Sequence, residues 1–431
     1  MLARQSGRST SSPATAQEEA AFVRRHLKRN TVAQLLNGMF GQTGFRLVAA
    51  PTFLPAFLFG LSGSELVVGA ARSLQGFGTV VSPFIGASII GHRPRVLKTM
   101  LTTNALMRVQ ILGMSLAAFF LAAEATVNAF LVLMTLMGFF QGISQVATHL
   151  LRAKVIPVNR RGIISGARHF LAGLVAAGAA WVCGSYFLAH NVLGNGYGTI
   201  FLLAFFVAAL GLASMLITRE PEARYVRPRE STRRVLVRVV RLMRADPAFA
   251  RFFTVRALGS FGNMAMPFYI LFAYSRMEVT DAQLGLVTMV WMLVQNTTSL
   301  AWGAIADRMG NRVVLIATLG IWIAAHVYLM FLQSMFDLVL FFAVVGFASG
   351  GFHQSGQNMV LEFGRSRDVA LRLATSGTAV NFFAAAGPIL GGLIVSALSY
   401  IALFLITIAV QVAALVIMIR WVPEPRRSVT A

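Results

Sequence analysis

Two polar stripes interrupt an otherwise apolar chain. Gln141, Gln145 and His149 recur every four residues, and so do Ser349, His353 and Gln357 in the second half. That spacing sets each trio along one face of a helix. Amide and imidazole groups so arranged can line a cavity and hydrogen-bond a solute, or tie neighbouring helices together; both readings stay open on the residues alone. Five arginines, Arg46, Arg72, Arg108, Arg168 and Arg256, also fall inside apolar runs, and no Asp or Glu lies deep in any run. Backbone carbonyls, water or an anionic ligand must answer these cations. Arg46 is the sharpest case, about 15 residues or ~22 Å from the start of its run, where a guanidinium can hold a carboxylate or phosphate with two hydrogen bonds. Asn263, Gln295, Asn296 and Asn381 add amides at similar depth. The substrate-binding candidates are therefore Arg46, Gln141, Gln145, His149, Asn263, His353 and Gln357. Without a deep carboxylate, a carried proton needs a histidine. Of His149, His169, His326 and His353, the candidate proton carrier is His353.

The elements that must position these groups are twelve apolar runs, roughly 32–60, 65–90, 98–122, 126–151, 162–189, 197–218, 251–275, 282–306, 312–332, 336–361, 371–396 and 399–421. A hydrocarbon core of ~30 Å needs about 20 apolar residues per helix, and a span must satisfy its backbone internally. The chain is 57% hydrophobic and 12% charged, with mean hydropathy +0.71. A soluble chain would carry about twice that share of charge. Basic residues crowd alternate gaps: Arg93, Arg95 and Lys98; Arg152, Lys154, Arg160 and Arg161; Arg308 and Arg312; Arg365, Arg367 and Arg372. The intervening gaps hold Glu65, Glu124, Glu278, Asp281 and Asp337, with Arg276 the lone basic residue. By the positive-inside rule the basic gaps and both termini are expected on the cytoplasmic side of a cytoplasmic (inner) membrane. The net charge of +22 is then mainly a topology signal, with attraction to anionic lipid headgroups, rather than a nucleic-acid footprint.

Several chemistries lack their residues. The single cysteine, Cys183, permits no intramolecular disulfide and no cysteine-based metal site. The chain has no phosphate-binding loop of the G-x-x-x-x-G-K-[ST] type, no H-E-x-x-H and no nucleophile elbow. Neither an enzyme nor a cofactor is expected.

The chain divides into a tail over 1–30 with a short amphipathic surface helix, a six-helix bundle over 31–218, a basic linker over 219–250 carrying a second surface helix, a six-helix bundle over 251–422, and a tail over 423–431. The halves resemble each other weakly, as a duplicated membrane fold should. Pro51 aligns with Pro267, Phe53 with Tyr269, Glu65 with Asp281 and Gly69 with Gly285; Gly138 aligns with Gly346 and Gly142 with Gly350. Those last four glycines, with Gly351, read as close-packing positions.

After the eighth run comes Gly303-Ala-Ile-Ala-Asp307-Arg308-Met-Gly310-Asn-Arg312, which resembles the G-x-x-x-D-R-x-G-R-R loop of the major facilitator superfamily. Ile156-Pro-Val-Asn-Arg-Arg161-Gly162 with Gly166, and Gly387-Pro388-Ile-Leu-Gly391-Gly392, add to the resemblance, which covers about residues 31–422. The first half departs from the pattern, with Ile90 where Asp is expected. The resemblance implies an all-α membrane protein of twelve transmembrane helices in two pseudo-symmetric six-helix bundles. It also implies alternating access around a cavity lined by helices 1, 4, 7 and 10, and a monomer. Asp307, Arg308, Gly310 and Arg312 would form the conformational latch. The expected partners are a small solute, anionic or zwitterionic by preference, membrane lipids, and a proton or exchanged anion. Two alternatives stand beside this: efflux of diverse lipophiles, with the arginines structural, and a non-transporting assembly or sensor protein.

Overall fold

The computed structural model describes residues 13–90, 93–157, 160–221, 232–363 and 369–424, and all its regular elements are helices. Ten stretches among the described residues are long and apolar enough to cross a membrane. They are span 1 (Ala21–Ser62), span 2 (Glu65–Ile90), span 4 (Ala123–Val155), span 5 (Arg161–Leu188), span 6 (Gly196–Ile217), span 8 (Asp281–Met309), span 9 (Asn311–Leu329), span 10 (Met335–Glu362), span 11 (Leu371–Ala397) and span 12 (Tyr400–Trp421). The other two expected runs are helical as well. Span 3 (Leu97–Phe120) is one helix diluted by Lys98, Asn104 and Arg108. Span 7 is split into Pro247–Ser260 and Tyr269–Arg276 by two 3₁₀ turns. The all-α, twelve-helix expectation holds.

The aligned prolines explain where spans 1 and 7 break. Proline brings no N–H and pushes the preceding residue out of the helical region. Ala50 accordingly turns to ψ 143° before Pro51, and the helix restarts at Phe53. Pro267 opens the second 3₁₀ turn of span 7. Spans 6, 8, 10 and 12 carry capping side chains, which satisfy first-turn N–H groups. Asn195 accepts from Gly198 N, Ser399 from Ala402 N, and Thr280 and Ser334 form capping boxes with Gln283 and Asp337.

Each half packs its own aromatic core. In the first, Phe57, Phe130 and Phe201 meet with ring centroids 5.2–5.7 Å apart. In the second, Tyr269 and Phe341 are 4.8 Å apart and Phe272 and Phe404 5.2 Å. Gly138 and Gly142 let span 4 lie against the span 2 backbone at Gln75 and against Ser82, and Gly346 and Gly350 do the same for span 10 against span 8 at Trp291 and Gln295. In lipid, where apolar burial drives little helix association, such close backbone approach supplies the contact energy.

The halves touch along two pseudo-symmetric seams. Gly69 meets the Pro388 carbonyl and Gly76 meets Ala385, joining spans 2 and 11; Gly184 meets Gly285 and Gly173 meets Asn296, joining spans 5 and 8. Ser73 Oγ accepts from Ile389 N at 2.8 Å, Tyr400 Oη donates to Glu65 at 3.0 Å, and Thr52 and Thr288 hydroxyls lie 2.5 Å apart. All of these contacts lie from the middle of the spans toward the acid-rich gaps, so the crevice between the halves opens toward the basic face.

The segment expected to hold a short surface helix forms Pro13–Leu36, continuous with span 1. The linker helix runs over Thr232–Ala245. Residues 1–12, 222–231 and 425–431, parts of the expected tails and linker, lie outside the described residues.

Candidate functional site

A cavity of about 280 Å³ sits where the two breaks face each other. Pro51 and Pro267 both line it, and span 1 also contributes Ala49, at the last helical turn before its break. Arg72, Gln75 and Thr79 come from span 2, Gln141 from span 4, Asn263 from span 7 and Trp291 from span 8. No Asp or Glu lines it.

Arg72 explains how the first break is tolerated. Its Nη2 donates to the carbonyls of Ala49 at 2.6 Å and Ala50 at 2.8 Å, the acceptors that the break removes from the helical ladder. Its Nη1 reaches Gln75 Oε1 at 3.3 Å, and Gln75 donates in turn to Gln141 at 3.4 Å. Of the predicted residues, Gln141 and Asn263 thus enter the cavity wall, and the Asn263 side chain makes no hydrogen bond to a described residue. Trp291 Nε1 is buried there without an acceptor, a free donor that the sequence reading missed. Gln75 and Thr79 could have been found from their spacing with Arg72 along span 2, whereas nothing in the sequence marks Trp291.

Arg46 lies on the same face of span 1 as Ala49, three residues on, while Thr43 hydrogen-bonds the Ala172 carbonyl of span 5 and Gly44 abuts span 6. Its Nη1 is buried without a hydrogen-bond partner. Beside it Arg168 packs across Gly38, in the π-helical stretch Asn37–Gly41, and donates to the Gln42 amide oxygen. Gln145 and His149 follow Gln141 on its face of span 4; both are exposed and make no hydrogen bond to described residues. Arg108 is a different case: it donates to the Ala208 and Asn104 carbonyls and lies over the Phe45 ring, so its cation is answered within the first bundle.

On the other side, His353 is half-buried with Nδ1 2.8 Å from the Ser349 carbonyl. A carbonyl only accepts, so Nδ1 carries the hydrogen and Nε2 presents its lone pair. Gln357, one turn on, is exposed. Ser349 accepts from Gln295, and Asn296 donates to the Met292 carbonyl, so these amides are engaged within the second bundle. Arg256 is 4% exposed, lies over Phe352 and fits against Gly356; its Nε and Nη1 have no partner. His326 is fully buried between the Trp322 carbonyl and the Tyr269 hydroxyl, at 2.9 and 2.8 Å, a structural setting.

At the expected latch, Asp307 and Arg308 are exposed at the end of span 8. Gly310 has φ +93°, and a Cβ there would meet the Glu424 carboxylate. Arg312 donates to the carbonyls of Val422 at 2.7 Å and Ile419 at 2.9 Å, fastening the end of span 12. In the first half Ile90 is buried among Ala33, Val96 and Ile143. There Glu220 caps span 3, accepting from Val96 N and Leu97 N at 2.7–2.9 Å and pairing with Lys154 at 2.8 Å. The sequence carried a signal for these carboxylates: Glu220-Pro221 and Glu424-Pro425 close the two halves in the same way.

The arrangement of helices is similar over nearly the whole chain to solved transporters. A mutant form of the nucleoside transporter NupG is 14% identical with TM-score 0.71, covering 90% of this chain and 98% of its own. A D-xylose-proton symporter is also 14% identical with TM-score 0.71, covering 93% and 99%. The human organic anion transporter MFSD10 is 15% identical with TM-score 0.61, covering 91% and 99%. No curated protein sequence matches. Residues 258–431 match the family model described as Major Facilitator Superfamily. The sequence likeness to this superfamily thus lies in the second half of the chain, while the likeness of fold runs over nearly all of it.

Proposed function

We propose that the chain is a secondary transporter of the major facilitator superfamily and moves a small anionic or zwitterionic organic solute across the cytoplasmic membrane by alternating access. One observation carries the reading: Arg46 keeps a buried, unpaired N–H one helical turn before Ala49, in the wall of a cavity that no carboxylate lines. A guanidinium at that depth is costly until an anion answers it. The solute's anionic group would bind Arg46, while Gln141, Asn263 and Trp291 orient its polar remainder. Gln145, His149 and Gln357 line the approach. A cavity of about 280 Å³ lies at the low end of ligand pockets, which favours a compact solute over the bulky lipophiles of the efflux alternative.

The charge distribution supports a cytoplasmic basic face and cytoplasmic termini, which would make the crevice open inward. His353, with Nε2 available, is the group we assign to carry a coupled proton, in keeping with the proton symporter among the similar structures. Asp307, Arg308, Gly310 and Arg312 would govern interconversion of the two bundles, and the unit that works is the monomer.

The test is a thermal-shift screen of the purified protein with matched anionic, zwitterionic, cationic and lipophilic compounds, because a ligand that binds the folded state raises its apparent stability. Stabilisation by anions or zwitterions that vanishes in Arg46→Ala, with parallel loss of uptake into proteoliposomes, is the expected result. Stabilisation by diverse lipophiles that survives the substitution overturns the reading.

A further inference from the structure

A second cavity, of about 940 Å³, lies on the basic face, away from the crevice. The helix Pro13–Leu36 walls one side through Phe22 and Arg29; the segment entering span 3 walls another through Arg93, Arg95 and Lys98; Arg219, just after span 6, closes the third. Five cationic side chains thus converge on one space.

Among the described residues one carboxylate, Glu220, shares the wall, and its oxygens are already taken by Val96 N, Leu97 N and Lys154. It does little to balance Arg29, Arg93, Lys98 and Arg219. Arg29 spends Nε on the Ile217 carbonyl and Arg93 spends Nη1 on Thr99, which leaves the rest of each fork unused. The side chains of Lys98 and Arg219 are exposed and make no hydrogen bond to a described residue. Cations so gathered repel one another, and an anion with several oxygens removes that cost. Phosphate suits the donor set: arginine forks grip two oxygens at once, and lysine adds a point charge.

The apolar part of the wall points to the source of that phosphate. Leu97 and Leu101 belong to the first turns of span 3 and stand with Phe22 beside the cations. This is the level at which a membrane-spanning helix enters the lipid, where headgroup phosphates lie and where basic pockets between helices hold anionic lipids. We propose that this pocket binds the phosphate of an anionic membrane phospholipid, its glycerol and first acyl carbons lying along Leu97 and Leu101. The lipid joins the N-terminal helix, the span 2–3 loop and the end of span 6, three segments otherwise linked by few charged pairs.

The experiment is native mass spectrometry of the full chain in neutral detergent, titrated with phosphatidylglycerol, phosphatidylcholine and soluble glycerol phosphate. Lys98→Gln/Arg219→Gln is the test variant, since neither side chain holds another part of the protein. Arg241→Gln/Arg244→Gln, on the linker helix, is the control. The wild type should retain phosphatidylglycerol over phosphatidylcholine, and the test variant should lose about tenfold in phosphatidylglycerol affinity while the control does not. Lys98→Arg, which keeps the charge, should retain it; this variant and Lys98→Gln alone decide the matter if the double variant fails to fold. An undiminished preference for phosphatidylglycerol in the Gln variants overturns the site. Soluble glycerol phosphate competing as well as the lipid overturns the lipid as its source.

Discussion

The two halves meet one geometrical problem, a proline break beside the central cavity, with different chemistry. At Pro51 the freed carbonyls of Ala49 and Ala50 are taken by Arg72, a residue of the next span. At Pro267 the chain winds into 3₁₀ turns and closes on itself, with Phe268 N donating to the Ala265 carbonyl at 3.0 Å. No cation is recruited, and Asn263 is left to face the cavity. The loops after spans 2 and 8 diverge similarly: Ile90 is buried in an apolar cluster, whereas Asp307 is exposed. Duplication has kept the backbone path and let the side chains separate, so that the first half supplies Arg72, Gln75, Thr79 and Gln141 to the cavity wall, and the second only neutral polar groups, Asn263 and Trp291.

The largest expected effect tests what the halves still share. Gly69→Leu and Gly285→Leu put side chains into the matching seams, where the neighbour is backbone. Overpacking of this kind should cut transport at least about tenfold in each, measured as initial uptake into proteoliposomes. A loss in only one variant would show that the seams are not equivalent.

Next come the breaks themselves. Arg72→Met removes charge-assisted bonds to two carbonyls and should cost about 3 kcal/mol, whereas Asn263→Leu should change stability by less than about 1 kcal/mol. Melting of the two purified variants side by side measures the contrast, and equal melting temperatures would end it. Arg46→Gln should weaken binding of an anionic substrate about tenfold or more, with little change in melting temperature, as read by ligand titration. Arg256→Met should instead raise the melting temperature by a few degrees, because a buried donor without a partner costs about 1–3 kcal/mol; a fall would mean that Arg256 has an anionic partner in the purified protein.

The smallest effect concerns the loops. Asp307→Asn should slow interconversion of the bundles severalfold while leaving substrate affinity within about twofold. Single-turnover exchange alongside equilibrium binding separates the two, and altered affinity with unchanged exchange would remove Asp307 from the latch.

Much of the site was half legible. The four-residue stripe on span 4 leads to Gln141 in the cavity wall, and the aligned prolines mark both breaks. Arg72 was harder to weigh, because its role depends on carbonyls that belong to another span and become available only where the chain breaks. Arg108 and Arg46 look alike in sequence, both being cations inside apolar runs. Only packing separates them: the Ala208 and Asn104 carbonyls reach Arg108, and nothing comparable reaches Arg46 Nη1.

The sequence by itself determined the number of spans, their helical nature, the duplicated plan and the uneven charge of the two faces. Each follows from what lipid demands of a chain segment locally: enough apolar length, an internally satisfied backbone, and cations kept at one side. The tertiary structure decided which arginines are answered, which polar residues share one cavity, and toward which face the crevice opens. Those depend on carbonyls, carboxylates and glycine seams brought together from segments far apart in the chain, and no local pattern specifies who meets whom.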